Sequence, residues 1–490
     1  MSTQLKKLVR HSAVYGFGMM SLKISPLILT PLFLHRFTKA QYGTMEVLNT
    51  FSSNVQTVMM LGIGTVLIKV YLNDCRNAVE RRELMSSVVM FSAALAVLVM
   101  VAAYFSRHVL SSLLTGGPTQ GALVFLAALS CALIIFDRLA VLCIRARQQP
   151  GWYTVVNFAH VAAVVGFNLY LVGYRNQGVY GTQLAAVLVA VVISLVGMTI
   201  VRSDLGLVFS WPRVRHVLRL SLPVIPVSLA PWVLNSSDRY FLRAMSGLDD
   251  LGLYAVGYKI GQLATTMVVM AFQLAWSPLF FSNAETAEGP RFCASVMKYY
   301  ITLLLGMALV ISVFGRELLM LMGKQEFWSA SALIPYVALA YVLYGLHFFT
   351  VPLFIHADKG PFLSAIMIGV AGLNLVGNYV LIRFFGIWGA LGSTVISFGV
   401  LAAVSVIYAN KAYPAPYSVM SILKAVVVTV AAFLVYNGFT AASWSAYLLK
   451  STVFVAFPTA LYFMGYLTGE EKARLRGVLR KALGGPGLAR

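Results

Sequence analysis

The feature that most constrains this chain is the recurrence, from end to end, of apolar runs about 20 residues long. A helix of ~20 residues covers the ~30 Å hydrocarbon core of a bilayer. Fourteen runs can be marked, at 12–34, 46–71, 84–105, 122–144, 153–174, 179–201, 217–237, 252–280, 294–314, 331–355, 362–384, 388–409, 421–440 and 446–467. They are long and do not alternate polar with apolar, so they read as helices and not as barrel strands. Hydrophobic residues make up 59% of the chain and charged ones 11%, against ~45–50% and ~25% in soluble domains. Lipid is the expected solvent. A water-soluble enzyme domain, a disordered or fibrous chain and a single-span anchor are excluded.

The net charge of +21 would point to nucleic acid in a soluble protein, but in a chain of spans it reads as basic loops on the cytoplasmic side. With fourteen spans both termini fall on one side. Placed in the cytoplasm, and with run ends good to a few residues so that Arg219, Lys298, Lys424 and Arg383 count with the adjoining segments, that side holds 23 of the 37 Lys and Arg, the opposite segments 9, and the spans 5. No nucleic-acid partner is expected. The first run follows Lys6, Lys7 and Arg10 and lacks a small-residue cleavage site, so it reads as a first span and not as a removed signal peptide. Cys75, Cys131, Cys143 and Cys293 form no CxxC pair and have no metal-like histidine neighbourhood. There is no GxxxxGK[ST] loop and no loop much longer than 20 residues. No cofactor, metal site, catalytic residue or enzymatic activity is expected.

Three landmarks repeat in order. Ser21, Leu22, Pro26, Leu29 and Pro31 match Ser221, Leu222, Pro226, Leu229 and Pro231 at an offset of 200. Gly43 matches Gly252 at 209, and Gly178-Val179-Tyr180-Gly181 matches Gly386-Ile387-Trp388-Gly389 at 208. The expected fold is an all-α polytopic membrane protein with two pseudo-symmetric six-helix lobes, 1–201 and 202–410. Two appended spans follow at 411–467, then a basic cytoplasmic tail at 468–490. Parallel repeats of this kind let two halves rock about a central site.

Ionisable and polar groups inside spans are expensive, and usually face a cavity or a partner. At helical spacing Glu46, Thr50, Ser53 and Thr57 share one face of the second span, flanked by Asn49 and Gln56. Lys259, Gln262, Thr266 and Gln273 share one face of the eighth. Lys23 lies midway along the first span, three residues before Pro26, and Arg138 is a third cation in the apolar runs. A cleft lined by Lys23, Lys259, Gln262, Thr266, Thr50, Ser53 and Arg138 is cationic and suits an anionic substrate such as a diphosphate. The competing reading pairs each lysine with an acid or a carbonyl as helix glue. Glu46 and Asp137 are the acids available to a coupling ion. Asp238 and Arg239, at the outer end of the seventh span, read as a gate or interface salt bridge. Asn157, His160, Asn168, Asn374 and Asn378 read as inter-helix hydrogen bonds.

The stretches Arg36-Phe37-Thr38-Lys39-Ala40-Gln41-Tyr42-Gly43, Ser237-Asp238-Arg239-Tyr240-Phe241-Leu242, Gly252-Leu253-Tyr254-Ala255-Val256-Gly257-Tyr258-Lys259-Ile260 and Gly178-Val179-Tyr180-Gly181-Thr182 carry a family resemblance over the first twelve spans. The chain resembles Wzx-type polysaccharide or O-antigen flippases of the multidrug/oligosaccharidyl-lipid/polysaccharide (MOP) exporter superfamily. The resemblance implies a bacterial inner-membrane protein that moves an undecaprenyl-diphosphate-linked oligosaccharide by alternating access, for O-antigen (lipopolysaccharide), capsule or exopolysaccharide assembly. It also implies membrane lipid, a coupling ion (proton or sodium) and other polysaccharide-assembly proteins as partners, with Lys23 and Lys259 as phosphate or sugar contacts. Two other readings stand beside it: a multidrug or cation antiporter of the same fold, which needs an intramembrane acid, and a membrane-embedded polysaccharide polymerase or ligase, which needs a large outer loop.

Overall fold

The computed structural model describes Gly18, Ser21, Leu22, residues 25–438 and 444–469, Glu471 and Lys472. Every regular element among them is helical. The elements are α1 (residues 25–36), α2 (Lys39–Met59), α3 (Ile63–Asn73), α4 (Ala78–Thr115), α5 (Gly121–Ala146), α6 (Pro150–Asn168), α7 (Gly178–Ile200), α8 (Trp211–Ser221), α9 (Ile225–Ser236), α10 (Asp238–Met245), α11 (Leu248–Asn283), α12 (Gly289–Met322), α13 (Ile334–His356), α14 (Gly360–Ala412), α15 (Val419–Asn437), α16 (Trp444–Ser451) and α17 (Val453–Phe463). Among the described residues nine helices are long and apolar enough to cross a membrane, or ten if the bent pair Trp211–Val224 and Ser228–Met245 is one span. The all-α membrane fold is as expected; the count of fourteen is not confirmed.

Local backbone chemistry explains where apolar runs and helices part company. The second run, 46–71, breaks between Met59 and Ile63, because Gly62 sits at φ +68° and Leu61 at +45°. A Cβ on Gly62 would also come 2.6 Å from the Ser221 carbonyl. The last run, 446–467, divides into α16 and α17 at Thr452. The first run, 12–34, is described at Gly18, Ser21 and Leu22 and from residue 25 onward. The run at 217–237 is bent by 47° within the Pro223–Pro231 stretch. Conversely α14, at 53 residues, would be about 80 Å long if straight, far beyond one bilayer. It is two helices merged at Gly386, whose φ of 54° and ψ of −127° are not helical. A Cβ on Gly389 would lie 2.0 Å from the Leu381 carbonyl oxygen, and one on Gly377 2.6 Å from Ser393 Oγ. Further along, Asn374 Nδ2 donates to Ser397 Oγ at 3.1 Å. Residues 381 and 389, 377 and 393, and 374 and 397 thus face each other, and the chain doubles back on itself.

The chain forms two compact units. Unit 1 comprises Met1–Lys259, Leu319–Leu333 and Gly360–Leu401. Its centre is α5, packed by α2, α3, α4, α6 and α7. Small buried residues on α5 (Ala127, Ala128, Cys131, Ala132, Ala140) permit close helix approach. Thr38 begins α2 with a reciprocal cap: its hydroxyl accepts from Gln41 N–H, and Gln41 Oε1 accepts from Thr38 N–H.

Unit 2 comprises Ile260–Leu318, Ile334–Lys359 and Ala402–Arg490. Its interior is aromatic. Phe272 stacks on Tyr300 with centroids 3.7 Å apart, Trp276 on Phe349 at 4.7 Å, and Trp276 Nε1 donates to the Phe349 carbonyl at 2.8 Å. Lys450, buried, pairs with Glu317 and ties α16 to α12.

Candidate functional site

Unit 1 encloses a cavity of about 290 Å³. Six helices supply its polar lining: Ser25 from α1, Asn49 and Gln56 from α2, Ser130 and Arg138 from α5, His160 and Asn168 from α6, Thr182 from α7, and Lys259 from α11. The spacing explains the convergence, since Asn49 and Gln56 are seven apart and Ser130, Ile134 and Arg138 four apart, each set on one face. Among the described lining residues two are cations and none is a carboxylate.

Lys259 is half-buried, and its Nζ donates to Tyr42 Oη at 3.3 Å and lies 5.8 Å from that ring's centroid. Tyr42 is fully buried. The cation therefore has a neutral partner and an attractive ring face, and no salt bridge among the described residues. Arg138 extends into the cavity. Its neighbour Asp137 points elsewhere, because adjacent helical residues diverge by about 100°. Asp137 is 2% exposed. Its Oδ2 is 4.0 Å from His160 Nδ1, and its Oδ1 has no hydrogen-bond partner.

Asp238 and Arg239 do pair, at 2.8 Å, and the structure adds a third member. Glu46 accepts from Arg239 Nε at 3.0 Å. Arg239 also donates to the Asn235 carbonyl and lies 4.7 Å from the Tyr258 centroid, while Tyr254 Oη donates to Asp238. A buried guanidinium held by two carboxylates keeps its charge compensated. Glu46, expected among the acids available to a coupling ion, is thus committed to Arg239.

Of the remaining expected lining, Thr50 is buried and donates to the Glu46 carbonyl of its own helix, and Ser53 is exposed. Their flanking neighbours Asn49 and Gln56 line the cavity in their place. Gln262 and Thr266 belong to unit 2, where Gln262 accepts from Tyr341 Oη at 2.6 Å and the buried Thr266 hydroxyl has no partner. Lys23 lies outside the described residues. His160 and Asn168, read from sequence as glue, line the cavity; Ser130 and Thr182 carried no signal beyond being polar in a span. Asn374 and Asn378 are hydrogen-bonded with Ser237 and Ser397 in a buried cluster of unit 1.

Above Tyr42 and Lys259 in sequence register, α2 and α11 meet backbone to backbone. A Cβ on Gly43 would lie 2.1 Å from the Leu248 carbonyl oxygen, and one on Gly252 2.0 Å from that of Lys39. The two glycines that mark the repeat are each other's contact. At the other end of unit 1, Asp204 follows α7 and accepts from Tyr71 Oη, Cys143 Sγ and Arg147. Partial burial alone would raise its carboxyl's pKa; those three donors hold it below the usual range instead.

The profile of the polysaccharide biosynthesis protein family matches residues 8–284. Lsg locus putative protein 1 of Haemophilus influenzae is 23% identical over 284 residues, which cover 56% of this chain and 66% of that protein. The chain thus spans just under two thirds of that relative's length. Among solved structures, the lipid II flippase MurJ in an inward closed conformation superposes with a TM-score of 0.74 at 12% identity, covering 92% of this chain and 98% of that one. An inward-facing multidrug resistance MATE family transporter of the MOP superfamily gives 0.64 at 14% identity, covering 82% and 94%.

Proposed function

Because this chain belongs to the polysaccharide biosynthesis protein family and has the fold of MOP-superfamily transporters, we propose that it is a flippase for an undecaprenyl-diphosphate-linked oligosaccharide in the bacterial inner membrane, with both termini cytoplasmic. The observation that carries the reading is the unit 1 cavity, with Lys259 and Arg138 among amides and hydroxyls and no acid among the described lining residues. In a low-dielectric site such a lining favours an anionic head over a cationic drug. Lys259, Arg138 and Lys23 are the proposed diphosphate contacts; Asn49, Gln56 and Asn168 supply neutral hydrogen bonds.

In the proposed cycle the diphosphate and sugars enter from the cytoplasmic side, while the prenyl tail stays in the bilayer. The halves 1–201 and 202–410 rock, and the head is released outside. The membrane potential contributes ~2.3 kcal/mol per charge per 100 mV to any step that moves net charge across the field. The glycan serves O-antigen, capsule or exopolysaccharide assembly. Asp137 and His160, beside the cavity, are the groups we assign to a coupling proton or sodium ion.

The test is a strain lacking this chain. It is expected to accumulate lipid-linked oligosaccharide on the cytoplasmic leaflet, measured by leaflet-selective labelling. Wild type restores export, and Lys259→Ala with Arg138→Ala does not. Normal surface polysaccharide from that double variant at wild-type abundance overturns the cavity assignment. Drug hypersensitivity without lipid-linked accumulation overturns the substrate class in favour of an antiporter.

A further inference from the structure

A second cavity of unit 1, about 420 Å³, lies where α2, α5 and α7 begin. Gln41 and Thr44 come from the first two turns of α2, Gln120 from the residue before α5, and Asn176 and Gln177 from the turn before α7. Leu123 and Val179 add apolar surface, and none of the described lining residues is ionisable.

The hydrogen-bonding state of this wall is incomplete. Oε1 of Gln120 and Oε1 of Gln177 are buried without a partner. Gln41 accepts from Thr38 N–H through its own Oε1 and is itself one of the lining residues. Side-chain amides carry both donors and acceptors, so a lining that includes Gln41, Gln120, Asn176 and Gln177 suits an occupant rich in neutral hydrogen-bonding groups. A cavity of this size falls in the range of small-molecule sites, ~300–1,000 Å³, and far exceeds the ~30 Å³ share of one water.

Position adds an argument independent of chemistry. The cationic cavity uses Met45, Asn49 and Gln56 of α2 and Thr182 and Ala186 of α7. The second uses Gln41 and Thr44 of α2 and Gln177 to Val179, at the start of α7. Along either helix the two linings are separated by one to three residues, a rise of about 2–5 Å. The two linings are neighbours along the same two helices.

We infer that this second cavity is a saccharide subsite that holds a neutral sugar of the lipid-linked oligosaccharide while its diphosphate occupies the cationic cavity. A sugar hydroxyl is donor and acceptor together, which matches a lining of side-chain amides, and its C–H faces match Leu123 and Val179. In the orientation proposed above the subsite is at the outer end, where sugars would lead the exit. The inference rests on the flippase reading for the source of the sugar.

The experiment uses the full chain purified in detergent. Free glucose, galactose, N-acetylglucosamine and lactose at millimolar concentration are the sugar probes, read by saturation-transfer difference NMR. Undecaprenyl diphosphate, which has the head and no sugar, is the second probe, read by native mass spectrometry. Wild type is expected to transfer saturation to at least one sugar. Gln120→Ala with Gln177→Ala is expected to weaken that sugar's apparent affinity about fivefold to tenfold, as for loss of one or two hydrogen bonds, and to leave undecaprenyl diphosphate binding within about twofold. Asn176→Gly gives a second variant: its φ of +54° suits glycine, so it removes an amide without straining the turn. It too is expected to weaken the sugar alone. No transfer to any probe from wild type, or equal transfer from wild type and both variants, overturns the subsite. Failure of wild type to bind undecaprenyl diphosphate, with sugar binding intact, overturns the flippase reading and leaves the sugar site standing.

Discussion

Substituting either glycine at the meeting of α2 and α11 should loosen that contact. A methyl on Gly252 would stand 2.0 Å from the Lys39 carbonyl oxygen, and one on Gly43 2.1 Å from that of Leu248, where ordinary contact begins at 3.4 Å. The shortfall is about 1.3–1.4 Å. Both walls are backbone, so no rotamer change relieves the overlap and the helices must part. Two effects oppose. Alanine is a better helix former by ~1 kcal/mol, while overpacking a close contact costs ~1–3 kcal/mol. With backbone on both sides the upper end applies, and the net is ~2 kcal/mol against the closed contact, about a 30-fold shift. Parting also stretches the neighbouring Tyr42–Lys259 and Glu46–Arg239 links, at 3.3 and 3.0 Å. Leu251, fully buried beside Gly252, is the reporter: with the four native cysteines replaced by alanine, Leu251→Cys is labelled by a soluble maleimide. Labelling is expected to accelerate at least about tenfold in Gly43→Ala or Gly252→Ala. The double variant should cost less than the sum, because both substitutions separate the same pair of helices. Unchanged labelling and an unchanged melting temperature in both single variants would refute the argument.

Glu46→Gln leaves Arg239 with Asp238 as its remaining carboxylate, and should lower the melting temperature by the equivalent of ~3 kcal/mol; Glu46→Gln with Arg239→Gln should recover most of it, and a double variant no better than the single refutes the pairing. Gly62→Ala places a side chain at φ +68°, 2.6 Å from the Ser221 carbonyl, and should destabilise by ~1–3 kcal/mol in thermal unfolding. Glu471 accepts from Lys298 Nζ, Tyr299 Oη and Thr468 N–H. Burial raises its carboxyl, but those donors outweigh it and bring the pKa down to about 2 from 4.5. A depressed acid stabilises above its unfolded pKa, so the Glu471 contact with α12 should hold above about pH 4.5 and weaken as pH falls toward 2. Proteolytic release of the tail after brief acid pulses measures this, and Glu471→Gln should abolish the dependence.

Hydropathy made the membrane fold legible, because burying apolar residues in lipid needs only length and composition. It did not reveal where helices break: Gly62 and Gly386 act through positive φ, which no apolar window records. The site was legible in part. Lys259 was found by its helical face, yet Gln262 and Thr266 on that face fall in the other unit, because spacing fixes direction around a helix and not depth along it. Asn49 and Gln56 took the place of Thr50 and Ser53 because the rotation of α2 is set by its packing. The commitment of Glu46 to Arg239, nearly two hundred residues away in sequence, is a tertiary fact with no local signature.

The turn at Gly386 also bears on how the protein is made. Two apolar helices meet there without a loop, and Phe384, Phe385 and Trp388, all exposed, crowd the tip. A ribosome-bound chain emerging with the first helix across the membrane has no polar stretch to park in water while it waits for the second. The pair must leave the insertion machinery together as a hairpin, so truncations or reporter fusions placed between residues 384 and 389 should yield a degraded product and not a topology readout.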